Sequence, residues 1–151
     1  MTTTTFTGPA VTDHEQVRRA IVPTGVVCFL VAVGLSIQGA DSTSEWVVEV
    51  VIEAVAAALL FGLAIPRGLR HESAGGRGIV FAVLGLLIVF PAFWIGLPLL
   101  FGATATLLGY AGKRAAHGSG RATASLLLGL LCVVAYLSIY IGDYMHVHGL
   151  G

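Results

Sequence analysis

The chain has 151 residues, of which 56% are hydrophobic and 11% charged, whereas a soluble domain carries roughly a quarter charged residues. Eight Lys and Arg balance eight Asp and Glu, so no net field draws the chain to nucleic acid or another polyanion. With a mean hydropathy of +0.91, a single soluble domain of this length would expose too apolar a surface, which excludes a soluble enzyme and a disordered or fibrous chain and makes the bilayer the solvent.

Residues 1–11 are Thr-rich and contain Gly8-Pro9, the composition of a short tail. Thr12-Asp13-His14-Glu15 has the Thr-x-x-Glu form of a capping box, so a helix is predicted to start there and to run past Arg18 and Arg19 into the membrane. Residues 1–19 thus read as a cytoplasmic tail with a short helix. The first span is predicted over 20–38, with Pro23 early in it, where a lost donor costs least. No small-residue cleavage site follows Ile21–Ile37, so this run reads as a retained span and not as a signal peptide. A polar turn at 39–44 leads to a second span over 46–65, opened by Trp46 and closed by Pro66. Arg67 to Gly78 reads as a basic, Gly-rich loop.

The 33 residues from Ile79 to Ala111 carry no charge. As one helix they would extend about 50 Å, far beyond ~30 Å of hydrocarbon. Pro91, Gly96 and Pro98 mark a turn in the middle, which divides the run into spans over 79–94 and 96–111. A second basic loop, Lys113 to Arg121, precedes a fifth span over 122–142, and 143–151 form an extracytoplasmic tail.

Five spans with the N-terminus inside place all eight basic residues, Arg18, Arg19, Arg67, Arg70, Arg77, Lys113, Arg114 and Arg121, on the cytoplasmic side. Asp41, Glu45 and Asp143 fall outside, as the positive-inside bias requires. A four-span chain would strand three of the cations outside. An internal repeat agrees: Arg77 to Val89 aligns with Arg121 to Val133, each with an inner Arg followed by Leu-Gly-Leu-Leu, so both copies are predicted to run in one direction. The fold class is therefore an all-α integral membrane bundle of five helices.

Gly-Leu-Pro-Leu-Leu-Phe-Gly (96–102), Leu-Leu-Gly-Tyr-Ala-Gly-Lys-Arg (107–114) and Arg-Ala-x-Ala-x-Leu-x-Leu-Gly (121–129) make residues 77–142 resemble small multi-pass actinobacterial membrane proteins of a Gly-rich domain-of-unknown-function group. The resemblance implies a bacterial plasma membrane location and brings no catalytic residues with it.

Glu45, Glu49 and Glu53 recur every four residues and form one stripe on the second span. Glu53 lies roughly 10 Å beyond Trp46 along the helix, and a carboxylate at that depth costs a few kcal/mol unless it faces protein or water. Tyr136 sits at matching depth on the last span, followed by Ser138 and Tyr140. Glu49, Glu53, Tyr136 and Tyr140 are thus the candidate intramembrane polar site. Two readings are open: a protonatable site reached from outside, or a protonated or hydrogen-bonded Glu53 that joins two helices.

A His-x-His at His146 and His148 lacks a third fixed ligand, so no metal is assigned, and no cofactor motif occurs. Ser36, Ser125 and Ser138 have no histidine at their depth in the spans, and no enzymatic activity is expected. Gly78, Gly85, Gly102, Gly109 and Gly129 are expected at helix contacts. Cys28 and Cys132 read as small apolar groups. The sequence thus suggests a structural or accessory component, with the bilayer and either a second copy or a larger membrane protein as partners. The alternative is a small transporter or channel subunit built on the carboxylate and tyrosine site.

Overall fold

Stretches of apolar residues that must cross oil do so as helices, because every backbone polar group has to be satisfied within the segment. The computed structural model describes residues 9–39, 42–69, 74–113 and 119–149, and among them there is no strand. The elements are α1 (Pro9–Gly39), α2 (Thr43–Leu59), a π-helical stretch (Leu60–Ala64), α3 (Ile65–Leu69), α4 (Ala74–Ile88), α5 (Leu97–Lys113) and α6 (Ser119–Val147). Helices covering Val17–Ile37, Thr43–Leu69 and Gly120–Val147 are each long and apolar enough to cross a membrane, and Ala74–Ile88 is a shorter apolar helix.

Helix α1 starts at Pro9, a residue whose missing N–H costs nothing at a helix start, so Thr12 lies inside the helix and not at its cap. Helix α2 is capped by Ser42, whose hydroxyl accepts from the Glu45 amide at 3.3 Å. The rod does not stop at Pro66 as its sequence suggests. The π stretch before it widens the turn, with the Ile65 amide reaching the Leu60 carbonyl, and so makes room for the proline ring against the residue four positions back.

The uncharged run breaks where Pro91, Gly96 and Pro98 demand it. Helix α4 ends at Ile88, six residues before the predicted end of the third span. A succession of turns through Ile95 follows, and the Leu100 amide bonded to the Gly96 carbonyl at 3.3 Å opens α5.

Two segments expected to be irregular are helical. Gly75-Gly76-Arg77-Gly78, read as loop, forms the first turns of α4 despite three poor helix formers. Tertiary contact overrides propensity here, since a Cβ on Gly75 would lie 2.7 Å from the Ala122 amide nitrogen. Residues 143–147, read as tail, continue α6, with the Tyr144 and His148 rings 4.1 Å apart one turn from each other.

The pairings Gly75 with Ala122, Gly78 with Ser125 and Gly85 with Cys132 hold a constant register, so the two copies of the repeat run in the same direction, as expected. Helix α5 lies antiparallel between them, with Gly102 on Gly129 and Gly109 on Leu126. Helix α1 and the rod of α2, π stretch and α3 lean on this trio through Ile21, Leu60, Phe61, Ile65, Leu100 and Leu108. Large apolar side chains such as Val22, Leu87 and Leu127 point outward, at 70%, 67% and 60% exposure, which is stable only where the surroundings are apolar.

Candidate functional site

The rod that begins at Ser42 turns one face to lipid and one to protein. Val47, Val48, Val51, Ile52 and Val55 are exposed, whereas Glu49 and Glu53 are 5% and 0% exposed. The four-residue spacing of the two carboxylates therefore keeps both inside the bundle.

Glu53 is met there by backbone. Its Oε1 accepts the Gly96 N–H at 2.7 Å. Gly96 directly precedes α5, where unpaired amides and the helix dipole present positive potential. A carboxylate from α2 thus caps a helix with which it shares no local sequence. The approach requires glycine: a Cβ at Gly96 would collide with the Ala32 side chain and lie 2.9 Å from Glu53 Oε1. Helix α1, helix α2 and the start of α5 therefore meet at a single residue.

Tyr136 reaches the same level from α6. It is fully buried in a cluster with Ala32, Val89 and Leu99, and Ala32 also lies against Gly96, the residue that Glu53 meets. The Tyr136 ring is 6.3 Å from that of Tyr140, but Tyr140 donates to the Leu35 carbonyl at 2.8 Å and so ties α6 to α1. Of the four residues singled out from sequence, three share a buried region, while the fourth is engaged by backbone at its edge.

That region is under-satisfied. Among the described residues, Trp46 Nε1, Glu49 Oε2, Glu53 Oε2 and the Tyr136 hydroxyl are buried without a hydrogen-bond partner. No Lys or Arg among the described residues is paired with Glu49 or Glu53. Arg18 lies beside Pro66 and Leu69, Arg77 donates to the Arg67 carbonyl, and Arg121 adjoins Gly75; with Arg19 and Lys113 these mark the opposite end of the bundle. Asp41, Arg70, His71, Arg114 and His117 lie outside the described residues.

The other candidates do not converge on a site. His148 Nδ1 lies 2.8 Å from the Tyr144 carbonyl. His146 is exposed, and among the described residues no three His, Cys, Asp or Glu side chains come together to hold a metal. Ser125 donates to the Ala105 carbonyl at 2.8 Å and Ser36 to the Val33 carbonyl at 3.0 Å. Both cysteines are free thiols, and Cys132 donates to the Pro98 carbonyl. Gly96 is the residue that sequence reasoning missed as a site member, since it was read as a turn former and a backbone donor leaves no compositional trace.

Comparison with protein families, with curated proteins and with solved structures finds no match to this chain.

Proposed function

We propose that this chain is a five-span protein of a bacterial plasma membrane, with its N-terminus inside, serving as a structural or accessory component of a membrane assembly. The observation that carries the structural role is the fate of Glu53. Its carboxylate is sealed from solvent and bonded to the Gly96 amide, and neither it nor Glu49 lines the apolar grooves between α1 and α2 or the aromatic cleft beside Tyr144. A group spent on joining helices leaves the exposed apolar faces of α1, α2 and α6 as the means of meeting other membrane components. The orientation rests on the gathering of basic side chains at one end, with Glu45 and Asp143 towards the other.

Reporter fusions test the topology. A reporter active only outside the cell should be active at the C-terminus and silent at the N-terminus, and equal activity at both ends would overturn five spans.

The three orphaned polar atoms on Glu49, Glu53 and Tyr136 favour one second reading, a proton- or cation-conducting subunit, because unpaired buried polar groups of this kind mark ion paths in membranes. Glu53→Gln separates the two readings. Glutamine keeps a carbonyl oxygen for the Gly96 amide, so the purified variant should retain the wild-type unfolding midpoint. Under the structural reading, proteoliposomes of wild type and variant show the same background proton and sodium flux. Flux present in the wild type and lost in Glu53→Gln would install the transport reading instead.

A further inference from the structure

Helix α1 and the α2 rod do not close on each other at the basic end. Two adjoining hollows of about 290 Å³ and 550 Å³ lie between them and share Ile21, Val22, Phe61 and Gly62. The gap has a sequence cause. Phe61 stacks over Gly25, where a Cβ would lie 2.8 Å from its ring, while Ala54, Ala57, Ala58 and Gly62 are too small to fill the space beside it. The π stretch begins at Leu60, and such widened turns recur at binding sites. The inner hollow is lined by apolar residues; the outer one opens beside Arg18, which is exposed.

We propose that this groove holds one anionic phospholipid, with an acyl chain along Gly25 and Gly62 and the phosphate on Arg18. Length selects a lipid tail over a helix of another chain. From Arg18 to Phe29 the groove follows α1 for roughly 16 Å, close to one leaflet of a ~30 Å core, and it stops near the middle of the Val17–Ile37 span. A crossing helix would need a seat through both leaflets. Charge selects the headgroup: Arg18 stands where the apolar lining ends, a guanidinium pairs bidentately with phosphate, and an anionic headgroup, unlike a zwitterionic one, brings no cation of its own to compete for it. The proposal depends neither on the role of Glu53 nor on which face of the membrane the basic end occupies.

Native mass spectrometry of the full-length, delipidated protein tests it, after adding back phosphatidylglycerol or phosphatidylcholine of matched chain length. The wild type should retain one phosphatidylglycerol in preference to phosphatidylcholine. Arg18→Gln should reduce that preference about fivefold, the worth of one cation at an anionic headgroup. Gly62→Leu should weaken retention of both lipids, because a Cβ there meets nothing within 4 Å and the added side chain projects into the groove without disturbing the fold. Arg121→Gln, on α6, should leave retention unchanged. The proposal fails if Arg121→Gln acts as strongly as Arg18→Gln, which would reduce the effect to the general charge of that end. It fails equally if Gly62→Leu retains lipid like the wild type, or if Gly62→Leu abolishes a dimer that the wild type forms, which would make a second copy the occupant.

Discussion

Gly109→Ala should lower the unfolding midpoint in mild detergent sharply, whereas Gly142→Ala, an identical chemical change, should leave it unchanged or raise it. The difference lies in what the new methyl group meets. At Gly109 it would collide with the Leu126 amide nitrogen and sit 2.8 Å from the Ala122 carbonyl oxygen and the Leu126 Cα. These are backbone atoms, and no rotamer relieves them. Helices α5 and α6 would have to separate, loosening the Gly102 and Gly129 contacts of the same seam. Overpacking of this kind costs ~1–3 kcal/mol, and in lipid no hydrophobic force between helices makes up the loss, because close packing is itself the attraction. At Gly142 a Cβ finds nothing within 4 Å, and alanine there gains up to ~1 kcal/mol of helix propensity. Equal midpoints for the two variants would mean that the seam does not hold the trio together.

The trio of α4, α5 and α6 is joined by small residues in register, and α1 with the α2 rod is added to it by a different kind of contact. On the basic half that contact is aliphatic and aromatic, through Ile21, Phe61 and Leu100. On the other half it is polar, through Glu53 to Gly96 and Tyr140 to Leu35. Lipid-filled space is tolerable in the first region, since an acyl chain can substitute for a side chain there. It is not tolerable in the second, where a displaced helix would leave amide and carboxylate bare in oil.

Sequence patterning made parts of this legible and left others dark for identifiable reasons. The break in the uncharged run was readable because Pro91 and Pro98 remove donors and Gly96 permits a turn, all of which are local effects. The common direction of the two repeat copies was readable because Arg77 and Arg121 anchor the same end of each. The helical start of α4 was not, because Gly75 and Gly78 count against a helix until Ala122 and Ser125 are known to lie against them. The π stretch before Pro66 was equally hidden, since Leu-Phe-Gly-Leu-Ala carries no signal for the wider turn. That Glu49 and Glu53 share one helix face followed from their spacing, which left open whether that face met protein, lipid or a groove. The partners of Glu53 and Tyr140 were not legible, because the Gly96 amide and the Leu35 carbonyl are main-chain groups with no side-chain signature.

Glu53→Ala should be the most damaging single change at the polar end, with a loss of about 3 kcal/mol or more. Removing the carboxylate leaves the Gly96 N–H buried without an acceptor, at ~1–3 kcal/mol. It also opens a void in a region that is 0% exposed at Glu53, and truncation of a buried side chain to alanine costs ~2–5 kcal/mol. Glu49→Ala should cost much less, because Glu49 Oε2 has no hydrogen-bond partner to lose and deletion relieves a buried polar atom. Hydrogen exchange at the Gly96 amide gives a readout independent of global stability. The amide should be protected in the wild type and in Glu53→Gln, and should exchange rapidly in Glu53→Ala under conditions where α4 and α6 remain protected. Persistent protection of that amide in Glu53→Ala, or a loss from Glu49→Ala as large as that from Glu53→Ala, would show that the α5 cap does not come from α2, and the structural role assigned to Glu53 would fall with it.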